Sequence, residues 1–146
     1  MVLNSYTIKR NSIGETKEMV EEVFRANLIF LETAGVDTQK GLLYSNNDAE
    51  LYQQLLQMYT EDVKGKIEKM ERAIQSFHED HGTALVRQAH GRKGENFGIG
   101  ARQLGEIFYG MEKAGKEADF TSVVQLWTQA KPKWLQIIEK IREAIV

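Results

Sequence analysis

The amino-acid sequence predicts an all-α protein, arranged as an antiparallel up-down four-helix bundle with an additional N-terminal helix. Three observations carry this expectation. Apolar residues recur at steps of three and four through most of the chain, the period of a helix with one buried face. The 146 residues include one proline and few β-branched runs, and 42% are hydrophobic, so little opposes helix formation. Turn formers gather at a few points, and the short connections between them favour antiparallel neighbours. The length suits one domain with a substantial core and is short for two. Residues 1–34 are expected to form an arm and the extra helix, and residues 35–146 the bundle, in a single compact domain.

Residues 1–11 carry no sustained period and read as a loose arm or a pairing edge. Ser12 with Glu15 three residues on resembles a capping box, and Met19, Val20, Val23, Phe24, Asn27, Leu28 and Leu31 follow at helical spacing. Gly35 ends this helix. Its apolar residues wrap round to Ile29 and Phe30, so it is expected to pack on the body or on a second copy. Gly35 to Asn46 reads as a connection. Asn47, with Glu50 at the third helical position, is expected to cap one long helix of about eight turns. Its buried stripe would be Leu51, Leu55, Met58 or Tyr59, Val63, Ile67, Met70, Ile74 and Phe77. Thr83 or Asp80 starts the next helix, which runs to about Phe97 before the break at Gly98 and Gly100. A further helix places Ala101, Leu104, Ile107 or Phe108, Met111 and Ala114 on one side and stops at Gly115. Asp119 caps the last helix, whose seam is Val123, Trp127, Ala130, Trp134, Ile137, Ile141 and Ala144, with Pro132 facing away from it.

Composition narrows the function. Nineteen Lys+Arg against 21 Asp+Glu give a formal charge of -2. With both signs interleaved, no field suited to a nucleic-acid backbone is evident, so nucleic acid is not an expected partner. The absence of cysteine excludes disulfides, thiolate zinc sites and thiol catalysis and agrees with a cytoplasmic location. The first residues, with Asn4, Ser5, Lys9, Arg10 and Asn11, lack a signal-peptide apolar core. The longest apolar run, Leu28-Ile29-Phe30-Leu31, is far shorter than the roughly 20 residues of a membrane span. An unprocessed protein with no membrane association is expected. His78 and His81 form an H-x-x-H pair, but no third or fourth ligand has matching spacing, and they read as loop residues with no metal.

The stretch that suggests chemistry is Arg87-Gln88-Ala89-His90-Gly91-Arg92-Lys93-Gly94. On a helix, residues about 100° apart in rotation make Val86, Arg87, Lys93 and Gly94 the surface neighbours of His90. One imidazole thus lies between two cations, beside a position with no side chain, which suits a small anion held on a histidine and approached by something large. The alternative is an ordinary half-buried or solvent histidine. A nucleotide loop made from Gly91, Gly94, Gly98 and Gly100 is rejected, because Lys93-Gly94 reverses the P-loop order and no strand precedes it.

Residues from about Gly35 to the C-terminus resemble a histidine-containing phosphotransfer (HPt) domain of bacterial phosphorelay (two-component) systems. The residues that carry the resemblance are Gly41-Leu42-Leu43, then Asp48-Ala49-Glu50-Leu51-Tyr52-Gln53-Gln54-Leu55-Leu56, and Ala89-His90-x-x-Lys93-Gly94. Ile99-Gly100-Ala101-x-x-Leu104 and Met111-Glu112-x-Ala114-Gly115-Lys116 complete them. The resemblance implies a phosphoryl carrier in which His90 accepts phosphate from a receiver-domain aspartate and passes it to another receiver. It implies Lys93 along the phosphoryl oxygens, Arg87 as a further candidate from the opposite turn, and Gly94 as the gap through which the partner approaches. Its partners would be response-regulator receiver domains and a hybrid sensor kinase. No cofactor is expected in this chain, the Mg2+ belonging to the receiver, and no autonomous kinase activity, since no ATP-binding domain fits the length. A monomer is expected, with the first helix as the surface for any dimer. The chemistry agrees, because an exposed imidazole is largely neutral and nucleophilic near neutral pH and phosphoryl transfer asks chiefly for positioning and charge neutralisation.

The chain departs from the family pattern at Arg92, where an aliphatic residue is usual, and at Glu95, Asn96 and Phe97, where small residues are usual. Ala89, Arg92, Asn96 and Ile99 share the inward face, so Arg92 is expected to find a carboxylate, such as Glu95 or one from the preceding helix. Phe97 would rim or obstruct the receiver's approach. The competing functional reading is a helical scaffold that binds a receiver or another signalling partner without carrying phosphate.

Overall fold

The computed structural model describes residues 17–145, and among them all regular structure is helical. Seven helices follow one another: α1 (Lys17–Glu32), α2 (Thr38–Tyr44), α3 (Ala49–Tyr59), α4 (Val63–Gln75), α5 (Thr83–Ile99), α6 (Arg102–Lys116) and α7 (Phe120–Ile145). The cap expected at Ser12 lies outside the described residues. Side chains from α1 through α7 line one continuous apolar core. No described helix is long and apolar enough to cross a membrane.

The inward faces of α1 and α7 follow the helical period. Phe24, Asn27, Leu28 and Leu31 are buried on α1, while Ile29 is exposed. On α7 the whole seam from Val123 to Ala144 is buried and Pro132 lies inside the helix on its wet side. Trp134 anchors the centre, edge-on to Phe108 at 5.5 Å and to Trp127 at 6.3 Å between ring centres.

Two expectations are corrected. The connection after Gly35 contains a helix, α2, because Asp37 caps it by accepting from the Lys40 amide at 3.1 Å. The single long helix from Asn47 to Phe77 is instead two. Asp48, one residue later than expected, is the cap and accepts from the amides of Glu50 and Leu51. The inward residues of α3 are Tyr52, Leu56 and Tyr59, whereas Leu51 and Met58 are 37% and 59% exposed. The break falls at Thr60 to Asp62, with Asp62 in the left-handed region at φ 49°. Other donors satisfy the carbonyls freed at the end of α3. The Thr60 hydroxyl donates to Gln57 O at 2.8 Å, the Lys66 ammonium to Met58 O and Tyr59 O, and the Arg142 guanidinium to Thr60 O.

The corner between α5 and α6 is sewn to the start of α2. Gly100 sits at φ 93°, and a side chain there would collide with the Asp37 carbonyl. The Asp37 amide donates to Gly100 O at 2.8 Å, and the buried Tyr52 hydroxyl donates to Ile99 O at 2.6 Å. Burial is the main cause that pushes the Tyr52 hydroxyl well above its ordinary pKa, so it remains a donor. This corner fixes the C-terminal end of the helix that bears His90.

Glycine substitutions test these contacts. A side-chain carbon at Gly91 or Gly98 would meet nothing within 4 Å, whereas at Gly105 it would meet the Phe97 ring at 2.7 Å. Gly91→Ala and Gly98→Ala should each raise stability by about 0.5–1 kcal/mol, and Gly105→Ala should lower it by about 1–3 kcal/mol, as read by chemical denaturation.

Candidate functional site

Helix α5 turns Leu85, Ala89, Asn96 and Ile99 into the core, and this fixes what its other face presents. His90, Gly91 and Gly94 lie outward. The His90 side chain is 66% exposed, and a side-chain carbon at Gly94, one turn along, would meet nothing within 4 Å. The gap beside the imidazole is therefore open.

Beneath the ring lies Glu112 of α6. Its carboxylate is 6% exposed and takes three cationic or potentially cationic neighbours: His90 Nδ1 at 2.8 Å on Oε2, Lys93 Nζ at 2.7 Å on Oε1, and Lys116 Nζ at 3.5 Å on Oε2. Lys93 also reaches over the Tyr109 ring at 5.2 Å. Desolvation pushes the Glu112 carboxyl up. The hydrogen bonds from Lys93 and His90, with the charges of Lys93 and Lys116, pull it down further, leaving it below its ordinary value. An ionised carboxylate only accepts, so Nδ1 of His90 is the donor, and in the neutral imidazole the lone pair is on Nε2, on the side of the ring away from Glu112.

The expected site residues divide accordingly. His90 and Lys93 meet on one carboxylate, and Gly94 borders them. Arg87 is exposed and makes no ion pair among the described residues, and it does not join the Glu112 cluster. Glu112 and Lys116 were visible in the sequence only as part of the family resemblance. A stronger signal was available: Glu112 falls within the apolar face of Phe108, Met111, Ala114 and Gly115, and a carboxylate placed there requires partners.

Arg92, Glu95 and Asn96 form a second, inward cluster. Arg92 Nη1 lies 3.5 Å and Lys66 Nζ 3.6 Å from Glu95 Oε2, and the Arg92 guanidinium lies over the Trp134 ring at 6.0 Å. Arg92 therefore has the carboxylate expected for it. Asn96 donates to Arg92 O at 2.8 Å and accepts from the buried Tyr59 hydroxyl at 2.6 Å. Phe97 lies against Gly105 of α6. His78 packs on Phe77 and Phe120, and the described residues contain no group of three metal-capable acidic or histidine side chains.

Compared with known proteins, the chain matches no family model, no curated protein and no solved structure.

Glu112→Gln should lower stability by about 1–3 kcal/mol at neutral pH, because it leaves Lys93 without its counter-charge. The sign with pH follows from the depressed carboxyl. The ionised form contributes stability above the ordinary value of 4.5 and loses it as pH falls below that value through the lowered one. Denaturation series from pH 7 to pH 3 should show the gap between Glu112→Gln and the unsubstituted protein closing on the acid side.

Proposed function

We propose that this chain is a phosphoryl carrier of the HPt kind, in which His90 takes a phosphoryl group from the aspartyl phosphate of one receiver domain and hands it to another. The observation that carries this reading is the exposed imidazole whose Nδ1 is tied to a buried, ionised carboxylate. Nε2 is then the free nucleophile in a fixed tautomer, without a separate base. The Nε2 lone pair attacks phosphorus, the P–N bond forms as the acyl P–O bond breaks, and the electrons leave with the receiver's carboxylate. The Nδ1 proton stays in place, and Glu112 faces the positive charge that develops on the ring. On the return step the same bonds exchange in reverse order.

The surrounding charge supports this role. Two lysines share one carboxylate, so the site carries a positive surplus for the incoming phosphoryl oxygens. Lys93 and Lys116 are the residues that would meet them, with Lys93 already one turn from the imidazole. Gly94 leaves room for a receiver to bring its aspartate into line. The Mg2+ of the reaction belongs to the receiver in this scheme, and the setting is the cytoplasm.

The helix pairings support an up-down four-helix arrangement of α4 to α7. Lys66 meets Glu95, His90 meets Glu112, Phe97 meets Gly105 and Phe108 meets Trp134. Glu71 meets Lys131 and Trp127.

The test is transfer of labelled phosphate from a charged receiver domain. The protein should acquire acid-labile, alkali-stable label, His90→Gln should acquire none, and Lys93→Ala should acquire it about tenfold more slowly or less. No label, under conditions in which an established carrier is labelled, would sink the proposal and leave a receiver-binding scaffold.

A further inference from the structure

Lys93 rests on the wrong edge of the imidazole for the work proposed for it. Its ammonium meets Glu112 Oε1 at 2.7 Å, while His90 Nδ1 meets Oε2 of the same carboxylate at 2.8 Å. The lysine is thereby held at the Nδ1 edge of the ring, and Nε2 is directed away from that edge. To reach a phosphoryl group on Nε2, the ammonium must swing off Glu112.

A second contact keeps it in place. The Lys93 ammonium lies 5.2 Å from the centre of the Tyr109 ring, within the range at which an aromatic face attracts a cation. His90 meets Glu112 and Phe97 meets Gly105, so Tyr109, between Gly105 and Glu112 on α6, draws the lysine along α5 away from the imidazole. The ring has no other evident task. It is 53% exposed, and its hydroxyl makes no hydrogen bond among the described residues. Glu106, one turn back on α6, is engaged by Arg102 at 3.1 Å. An aromatic ring also holds an ammonium without cancelling its charge. A carboxylate in the same place would neutralise the positive surplus at the site, whereas the ring preserves it and yields when a phosphoryl group competes for the lysine.

We propose that Tyr109 is a positioning residue that acts through Lys93: it holds the ammonium on Glu112 while His90 is unloaded and releases it to the phosphoryl oxygens when Nε2 is loaded. Each loading breaks the ring contact, so Tyr109 weakens the retention of phosphate on this chain and favours its delivery. This deepens the phosphocarrier reading, on which its functional meaning rests, by giving the lysine two positions. The movement can be followed with a small phosphate donor that needs no receiver, so the two readings can fail separately.

The donor is phosphoramidate, which phosphorylates accessible imidazoles directly. The isotope-labelled full chain is followed by NMR through the side-chain methylene signals of Lys93, which feel the ring current of Tyr109. Before loading, these signals should lie upfield, remain there in Tyr109→Phe and lose the shift in Tyr109→Leu. After loading, the unsubstituted protein should lose it too, whereas His90→Gln, treated alike, should keep it. Phosphate shared at equilibrium between a receiver domain and this chain should move about threefold toward this chain in Tyr109→Leu. It should not move in Tyr109→Phe, nor on adding Tyr109→Leu to Lys93→Ala. Lys93 signals indifferent to Tyr109→Leu, or still upfield after loading, would overturn the inference. Tyr109→Phe behaving as Tyr109→Leu would overturn it in favour of the hydroxyl, and a change of partition that survives Lys93→Ala would make the ring a receiver contact instead. A receiver that transfers nothing would sink the phosphocarrier reading alone, and the phosphoramidate series would still decide where Lys93 rests.

Discussion

The buried carboxylate of Glu112 is the constraint on which the outer face of this protein depends. A 6% exposed carboxylate inside an apolar helix face persists as an anion only if donors surround it. Here the donors come from two helices: His90 and Lys93 from α5, and Lys116 from α6 itself. The same contacts that satisfy Glu112 therefore set the rotation of α5 against α6, the tautomer of the imidazole and the position of the nearest ammonium. Stability and the geometry of the proposed site are one arrangement.

Helix α5 is weak in isolation. Gly91, Gly94 and Gly98 remove side chains from its outer face, at about 1 kcal/mol each relative to alanine, and its inner face carries Arg92 and Asn96 among apolar residues. Tertiary contacts offset this. Asn96 is held between Tyr59 and the Arg92 carbonyl, Arg92 lies over Trp134 and beside Glu95, and Gly100 is locked against Asp37. A helix stripped on one side and pinned on the other exposes bare backbone without losing its place in the core. That division explains how the glycines remain compatible with a well-defined fold.

The break between α3 and α4 is bridged by one side chain. Lys66, on the face of α4 that carries Met70 and Ala73, reaches the carbonyls of Met58 and Tyr59 and the carboxylate of Glu95. The break opens a groove beside α5 and lifts Glu61 and Asp62 to its rim. The groove and the polar layer of Arg92, Glu95, Asn96 and Tyr59 are thus linked through one ammonium.

Periodicity alone determined the all-helical class and the buried seam of α7, because those depend on steps of three and four within one segment. That Arg92 would need a carboxylate was also legible, since a guanidinium on an inward face is costly unpaired; that Glu95 supplies it and no residue of the preceding helix does was decided by the packing. The split at Thr60, the burial of Tyr52 and Leu56 in place of Leu51 and Leu55, and the short helix α2 were not. The α3 stripe and the split involve partners far along the chain, Ile99 for Tyr52 and Arg142 for Thr60, whereas α2 rests on the local cap of Asp37. Above all, the meeting of His90 and Lys93 on Glu112 was a tertiary decision. Twenty-two residues and a reversal of chain direction separate the imidazole from the carboxylate, and only the packing of α5 on α6 brings their charges together out of water.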